Sequence, residues 1–255
     1  MDKNDANGKL FSRRIMELAV RAYENGHYTF TGFLNPTEVD TFLRIQPDLK
    51  FISSIIHGGG ENNERQMIRF GGPDMMGYEE DFPIDIIGVR PLAAKFADDL
   101  NHRDFLGAVM NLGIERDVVG DILVKENNGY IFCARHISHF IMENLTKIKH
   151  TDVRCLILDE SPEDIQPKRQ EEKINVNSLR CDAVVAKLCH LSRNQGLELF
   201  QAKKVIINGR IVENNSQMLK EQDVVVIRGY GKFVMMGISH ITKKDRIVVI
   251  VEKFL

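Results

Sequence analysis

The chain has 255 residues, of which 43% are hydrophobic and 27% charged, a globular composition and a length that predict two or three domains. No apolar run reaches the roughly 18 residues of a membrane span, and the first residues lack a signal-peptide core, so we expect a cytoplasmic protein without a membrane partner. Residues 175–255 carry 13 Lys and Arg against 7 Asp and Glu, a net of +6, which leaves −8 for residues 1–174 within the total of −2. This division predicts a polyanionic partner for the basic C-terminal region.

Residues 1–78 are predicted to form an N-terminal α/β domain. Apolar residues recur at helical spacing over 9–25, and a short strand follows at 28–33. Asn35, followed by a proline and then by Glu38, predicts a capped second helix that ends near residue 45. Apolar segments at 51–56 and 67–70 are predicted strands. The glycines at 58–60 lack the GxxxxGK[ST] arrangement of a phosphate-binding loop, so they predict a sharp turn.

Residues 79–158 are predicted to form a second domain with the element order β-α-β-β-α-β. This is the order of ferredoxin-like folds and of the RNA-recognition motif (RRM). The predicted strands are 84–89, 118–124, 129–133 and 153–158. The first predicted helix is capped by Asn101 or Asp104 and runs to residue 112, and the second covers 135–149. An RRM carries base-stacking aromatic residues on its third strand. Tyr130 and Phe132 match that pattern only loosely. The element order therefore predicts an RRM-like fold, whereas base stacking by this strand is only weakly indicated.

Two local patterns resemble catalytic or metal sites but lack essential parts. The segment 102–104, His-Arg-Asp, resembles the catalytic loop of protein kinases, but Val109 stands where that loop requires Asn. Cys133, His136 and His139 have metal-like spacing without a fourth ligand. We therefore expect no catalytic residue, no metal and no cofactor.

Residues 159–174 contain two prolines and a high density of charge, and they are predicted to be a linker. Residues 175–255 are predicted to form a C-terminal domain. Ser178 is expected to cap a helix that runs to Cys189, and Ser192 with Gln195 predicts a capping box before a second helix. Asn208-Gly209 is a strong hairpin signal between strands at 205–207 and 210–212. Further strands are predicted at 224–228 and 246–251.

Basic residues of this C-terminal domain predict an RNA-binding surface. Arg193 lies in the first turn of its helix, where free backbone N–H groups and the helix dipole favour phosphate. Lysine and arginine at strand ends and turns can meet an RNA backbone with little reading of sequence. The candidates from this chemistry are Arg193, Lys203, Lys204, Arg210, Arg228, Tyr230 and Lys232. The alternative is a small α/β domain with ordinary surface lysines.

The same region resembles the S4-type RNA-binding domain, also called the α-L motif. The matching positions are Arg180, Asp182, Ser192, Arg193, Val205, Asn208, Gly209, Val212 and Asp223. Cys181 and Lys204 depart from the usual Leu and Gly. The resemblance adds Arg180, Ser192 and Asn208 to the candidate RNA-binding residues.

The chain as a whole is similar to the bacterial YlmH family. The similarity is carried by FTGFLNPTE at 30–38, by residues 59–65, by the block at 95–124 and by RGYGKF at 228–233. It implies a non-enzymatic factor of ribosome-associated quality control, which binds the rRNA of an obstructed large ribosomal subunit and holds P-site peptidyl-tRNA during alanine tailing. Other quality-control factors are further implied partners. We expect a monomer.

Two other classes of function remain open. One is an rRNA-modifying enzyme or accessory protein with an S4-type targeting domain, although the chain shows neither a nucleotide-fold methyltransferase nor the Asp motif of a pseudouridine synthase. The other is a structural adaptor whose acidic N-terminal body binds protein. Ribosome association that survives deletion of residues 175–255 would favour the adaptor.

Overall fold

The computed structural model describes residues 3–60, 63–160 and 169–254, with side chains from Gly8 onward. The chain divides into two compact units, Met1–Gln166 and Pro167–Leu255. Both contain helices and sheets, so the protein is of mixed α and β structure, as predicted. In the described part of the chain, no helix is long and apolar enough to cross a membrane.

The N-terminal part of the first unit packs helices on a small antiparallel sheet. Its elements are α1 (Lys3–Asn25), β1 (Thr29–Phe30), α2 (Pro36–Ile45), β2 (Ser54–His57), β3 (Met67–Phe70) and α3 (Pro73–Met76). The strand order is β1-β3-β2. The predicted capping box is confirmed, because the Asn35 side chain accepts from the Glu38 N–H at 3.0 Å and the Glu38 carboxylate accepts from the Asn35 N–H at 2.8 Å. Ile15, Phe42 and Phe70 are fully buried in the core that results.

The remainder of the first unit forms a larger sheet with two helices. Its elements are β4 (Ile84–Pro91), α4 (His102–Met110), β5 (Val119–Lys125), β6 (Asn128–Ala134), α5 (Arg135–Asn144), β7 (Lys147–Ile148) and β8 (Thr151–Leu158). The strands are antiparallel in the order β5-β6-β4-β8-β7. The predicted β-α-β-β-α-β order is observed, with β7 as an addition. The helix predicted to reach residue 149 ends at Asn144, because the chain there turns back to pair β7 with β8.

The two faces of this larger sheet have different neighbours. Side chains of alternate residues point to opposite faces, and Ile87 and Ile131 pack in one core with Phe105 of α4 and with α5. On the opposite face Phe132 packs against Phe33 and other residues of the N-terminal part. Phe132 is 1% exposed and Tyr130 is 7% exposed. Neither ring is therefore available for base stacking, which disfavours even the loose match to the RRM pattern.

A half-buried arginine, Arg65, fastens the N-terminal part to the larger sheet. Arg65 donates from Nε to the Val119 carbonyl at 3.0 Å, and from Nη2 to the carbonyls of Phe33 at 2.7 Å and Arg116 at 3.1 Å. Asp121 accepts from the Arg65 N–H at 3.2 Å. Burial raises the pKa of the Asp121 carboxyl and lowers the pKa of Arg116 to about 10. The two predicted domains 1–78 and 79–158 thus lie within one compact unit.

The second unit is a six-stranded antiparallel sheet with two helices packed on one face. Its elements are β9 (Arg169–Val176), α6 (Cys181–Leu188), α7 (Arg193–Gln201), β10 (Val205–Ile207), β11 (Arg210–Ile211), β12 (Val224–Ile227), β13 (Gly231–Ile241) and β14 (Ile247–Phe254). The strand order is β11-β10-β12-β13-β14-β9. Helix and strand side chains share one core, with Val184, Phe200 and Phe233 among its buried residues.

Two local predictions in this unit are wrong. Residues 169–174, predicted as part of the linker 159–174, belong to β9, which pairs with β14 from Arg169 opposite Phe254 to Val176 opposite Ile247. The prediction failed because the partner strand lies far along the sequence; residues 161–168 of that linker lie outside the described part. Ser178 does not cap α6, because that helix begins three residues later, with Arg180 at its N-cap position.

Substitution of Gly129 tests how tightly α4 packs on the larger sheet. A Cβ at Gly129 would overlap with Cε1 of the fully buried Phe105. We therefore expect Gly129→Ala to lower the free energy of unfolding by roughly 1–3 kcal/mol, as overpacking does. A Cβ at Gly107, inside α4, would meet nothing within 4 Å, so Gly107→Ala should raise the free energy of unfolding by about 0.5–1 kcal/mol. Urea denaturation of both variants checks the pair, and equal stabilities would contradict it.

Candidate nucleic-acid interface

The first turn of α7 holds two of the candidate residues in different ways. Ser192 is the N-cap: its hydroxyl accepts from the Gln195 N–H at 3.4 Å and donates to the Gln195 Oε1 at 2.9 Å. The same Oε1 accepts from the Ser192 N–H at 3.0 Å, which confirms the predicted capping box. The Ser192 hydroxyl is thus occupied by the cap, whereas Arg193, the first residue of the helix, is exposed.

Arg180 and Arg193 lie around one buried carboxylate. Arg180 donates from Nε and Nη2 to the two carboxylate oxygens of Asp182 at 3.1 and 3.0 Å, and Asp182 also accepts from the Ala183 N–H at 2.9 Å. The hydrogen bonds from Arg180 lower the pKa of Asp182, and the charge of Arg193 lowers it further. Arg180 therefore forms the ion pair with this carboxylate, and Arg193 acts on it through its charge alone. The local charge is positive, and the Arg180 side chain remains 41% exposed.

The exit of α7 places further basic residues at one end of the sheet. Lys203 has a left-handed backbone with φ of +54°, and its Nζ lies 3.3 Å from the exposed Glu213 carboxylate. Such a surface pair contributes little to stability, so a phosphate can replace the glutamate. The carbonyl of Lys204 accepts from the Arg228 N–H at 3.0 Å, which brings these two exposed residues side by side. Tyr230, 41% exposed, follows in the same turn.

Asn208 has a structural position in the hairpin between β10 and β11. Its backbone φ is +50°, its Nδ2 donates to the Asp223 carboxylate at 2.8 Å, and its Oδ1 accepts from the Val224 N–H at 2.8 Å. The predicted hairpin is confirmed. These bonds fix the turn on β12, so an RNA contact by Asn208 stays a prediction. The exposed Arg210 pairs with Ile207 on this side of the sheet, away from Lys204.

Lys232 belongs to a separate cation–aromatic group. Its Nζ lies 4.8 Å from the ring centre of Phe254, and the Arg169 guanidinium lies 4.9 Å from the same ring. Sequence reasoning missed Arg169 because it was assigned to the linker. It also passed over the exposed Lys243, Lys244 and Arg246 in the tip between β13 and β14, although a basic run between two apolar strands was a usable signal.

The buried cysteines and the grouping of metal-binding side chains bear on thiol reactivity and on metal binding. Burial raises the pKa of the Cys133 and Cys181 thiols to about 12 and those of Cys155 and Cys189 to about 11. These thiols are therefore protonated at neutral pH and are poor nucleophiles. Within the described ranges, no three His, Cys, Asp or Glu side chains are grouped to hold a metal ion.

The fold and this surface define a mixed α and β protein whose C-terminal unit exposes basic residues at a helix start and at strand ends. The chain is 30% identical over 239 residues to the "Ribosome-associated protein quality control protein P2" of Bacillus subtilis (strain 168), a match that spans 93% of this chain and 92% of that protein. The chain belongs to the YlmH family, as its sequence predicted.

Two further comparisons concern parts of the chain. A family profile described as "Putative RNA-binding domain in YlmH" matches residues 78–160, close to the predicted bounds 79–158. A solved structure, "Cell division protein ylmH from Streptococcus pneumoniae", is 23% identical with a TM-score of 0.48, over 62% of this chain and 93% of that chain.

The ion pair of Asp182 predicts an acid-dependent loss of stability. The folded-state pKa of Asp182 lies below its ordinary value of 3.8, so the ionised carboxylate stabilises the fold above that pH, and this contribution disappears as the pH falls through the folded-state pKa. Asp182→Asn should lower the free energy of unfolding at pH 7 by about 1.5–3 kcal/mol, the value of a hydrogen bond to a charged group. Below pH 3.8 its stability should fall less steeply than that of the wild type.

Urea denaturation at a series of pH values measures this difference. Asp245→Asn, which removes the same charge from an exposed turn of the same unit, should retain the wild-type slope. Parallel curves for Asp182→Asn and wild type would contradict a stabilising role of the ionised carboxylate.

Proposed function

We propose that this protein binds RNA on the ribosome as a non-enzymatic quality-control factor of the cytoplasm. The observation that carries the proposal is the similarity to a ribosome-associated quality control protein over nearly the full length of both chains. The exposed basic residues of the C-terminal unit supply a physical means of binding, because each phosphate contact releases counterions from the RNA.

In this proposal the C-terminal unit is an S4-type domain in which the motif residues have two tasks. Ser192, Asn208 and the Arg180–Asp182 pair hold the helix starts and the hairpin in place. Arg193, Lys203, Lys204, Arg228 and the neighbouring Tyr230 contact the RNA backbone and its bases. Arg210 and Lys232 contribute at the margins of the surface.

The RNA partners proposed are rRNA of an obstructed large subunit and the peptidyl-tRNA in its P site, during alanine tailing. Recognition by charge and shape suits such a partner, because folded RNA presents closely spaced phosphates with little accessible sequence. The RRM-like part of the first unit is proposed as a second RNA contact. The protein would act as a monomer, without cofactor or metal, together with other quality-control factors.

The double substitution Arg193→Ala with Lys203→Ala tests the C-terminal surface. We expect the affinity for purified large ribosomal subunits that carry peptidyl-tRNA to fall about tenfold. The slope of log K against log salt should become shallower by roughly 1.4–1.8, the amount expected for two phosphate contacts. Co-sedimentation over a series of salt concentrations measures both quantities.

Arg14→Ala with Arg21→Ala is the control, since it removes the same charge from exposed positions of α1. If the C-terminal variant co-sediments like this control and like the wild type at every salt concentration, the surface is assigned wrongly. The same preparation separates the alternative function: a change in rRNA nucleosides after incubation with the protein, detected by mass spectrometry, would favour an rRNA-modifying enzyme.

A further inference from the structure

The larger sheet of the first unit has a face that its helices leave free, and the N-terminal part covers only one end of it. The covered end contains Phe132, packed against Phe33. Beyond it, strand pairing aligns Gly88 with Tyr130 on one side and with Leu156 on the other. Gly88 adds no side chain to this row, and Leu156 is 46% exposed, so an apolar side chain stands in solvent there. We call the uncovered end, which runs from the row of Gly88 and Leu156 toward the end of β4, the open sheet face.

The next row of the open sheet face carries two arginines. Arg90 lies two residues beyond Gly88, and Arg154 lies two residues before Leu156, so both point to the same face as those residues. Register places Arg90 directly opposite Arg154, and both are exposed. Their Cα atoms are therefore about 5 Å apart, as in any antiparallel pair.

This arrangement of charge is unfavourable for the isolated protein. Like charges directly opposite each other destabilise a sheet. Among the described residues, neither guanidinium forms an ion pair with a carboxylate. Asp152, on the same face of β8 as Arg154, lies 4.0 Å from the Lys147 ammonium. An anionic ligand that bridges the two guanidiniums would remove the repulsion and would form charge-assisted hydrogen bonds with both.

We propose that the open sheet face binds single-stranded RNA, with Arg90 and Arg154 on successive phosphates and a base or ribose against Leu156. A basic row next to an exposed apolar side chain matches the alternation of phosphate and base along a single strand, whereas a duplex offers only its backbone. The inference rests on the proposed function in taking RNA as the ligand. It differs from an RRM in that arginines, and not the buried aromatic rings of β6, make the contact.

The test measures binding of a fluorescein-labelled single-stranded RNA of about 12 nucleotides, a length within the usual site sizes, to the full chain by fluorescence anisotropy. Four proteins are compared: the wild type, the double variant Arg90→Gln with Arg154→Gln, the double variant Arg193→Ala with Lys203→Ala, and the combination of all four substitutions. The Arg90 and Arg154 variant should bind about tenfold more weakly, with a salt slope shallower by about 1.4.

Two controls separate this loss from other causes. Arg14→Gln with Arg21→Gln makes the same charge change on α1 and should bind like the wild type. The melting temperature of the Arg90 and Arg154 variant should equal or exceed that of the wild type, because the substitutions remove a repulsive pair. Weaker binding together with a maintained melting temperature therefore reports a lost contact and not a lost fold.

The outcomes distinguish this inference from the proposed function. If the Arg90 and Arg154 variant keeps wild-type affinity and salt slope while the Arg193 and Lys203 variant loses them, the open sheet face does not bind RNA, and the C-terminal assignment stands. The reverse result supports the open sheet face, while the C-terminal assignment, which concerns folded RNA, stands or falls with the co-sedimentation of the Arg193 and Lys203 variant with large subunits. An equal loss with a duplex RNA of the same length, or with the α1 control, overturns the proposal for single-stranded RNA.

Discussion

The hydrogen bonds of Arg65 are the constraint on which the first unit depends. One half-buried guanidinium donates to the carbonyls of Phe33, Arg116 and Val119, and a carbonyl left without a partner in the buried part of this contact would cost about 1–3 kcal/mol. Phe33 belongs to the N-terminal part, whereas Val119 begins β5 of the larger sheet and Arg116 lies in the short turn before it. The same side chain therefore joins the N-terminal part to the start of β5, away from the row that carries Arg90 and Arg154.

In the C-terminal unit, hydrogen bonds hold two acidic side chains in place, while the basic side chains stay on the surface. The carboxylate of Asp182 is held by Arg180 and the Ala183 N–H, and Asp223 accepts from Asn208 and from the Lys220 N–H at 2.7 Å. These acidic groups are engaged in turns and helix starts. The lysines and arginines at the exit of α7 and at the strand ends remain exposed, so they form a basic part of the surface.

Features set by neighbouring residues could be predicted from the sequence, and features set by distant partners could not. The capping boxes at Asn35 and Ser192 depend on side chains three positions away, the hairpin at Asn208 was predicted from the adjacent Asn-Gly pair, and all three are observed. Strand β9 forms by pairing with β14, which lies more than 70 residues later. The charged first half of β9 has no sequence pattern typical of a strand. The burial of Phe132 likewise depends on Phe33, about a hundred residues earlier. The candidate residues were predicted as chemical types, but only the contacts show that Asn208 and Ser192 hold structure while Arg193 is exposed.

If both surfaces bind RNA, each surface can have a low affinity while the whole protein binds RNA tightly. Two linked contacts on one RNA make the second binding step intramolecular, so the overall affinity exceeds that of either surface as long as the RNA presents both elements within reach. Exposed arginines and lysines read phosphate position and not base identity. Selectivity would then come from the spacing between a single-stranded segment and a folded segment, a property of an assembled ribosomal particle that free RNA of the same sequence does not share.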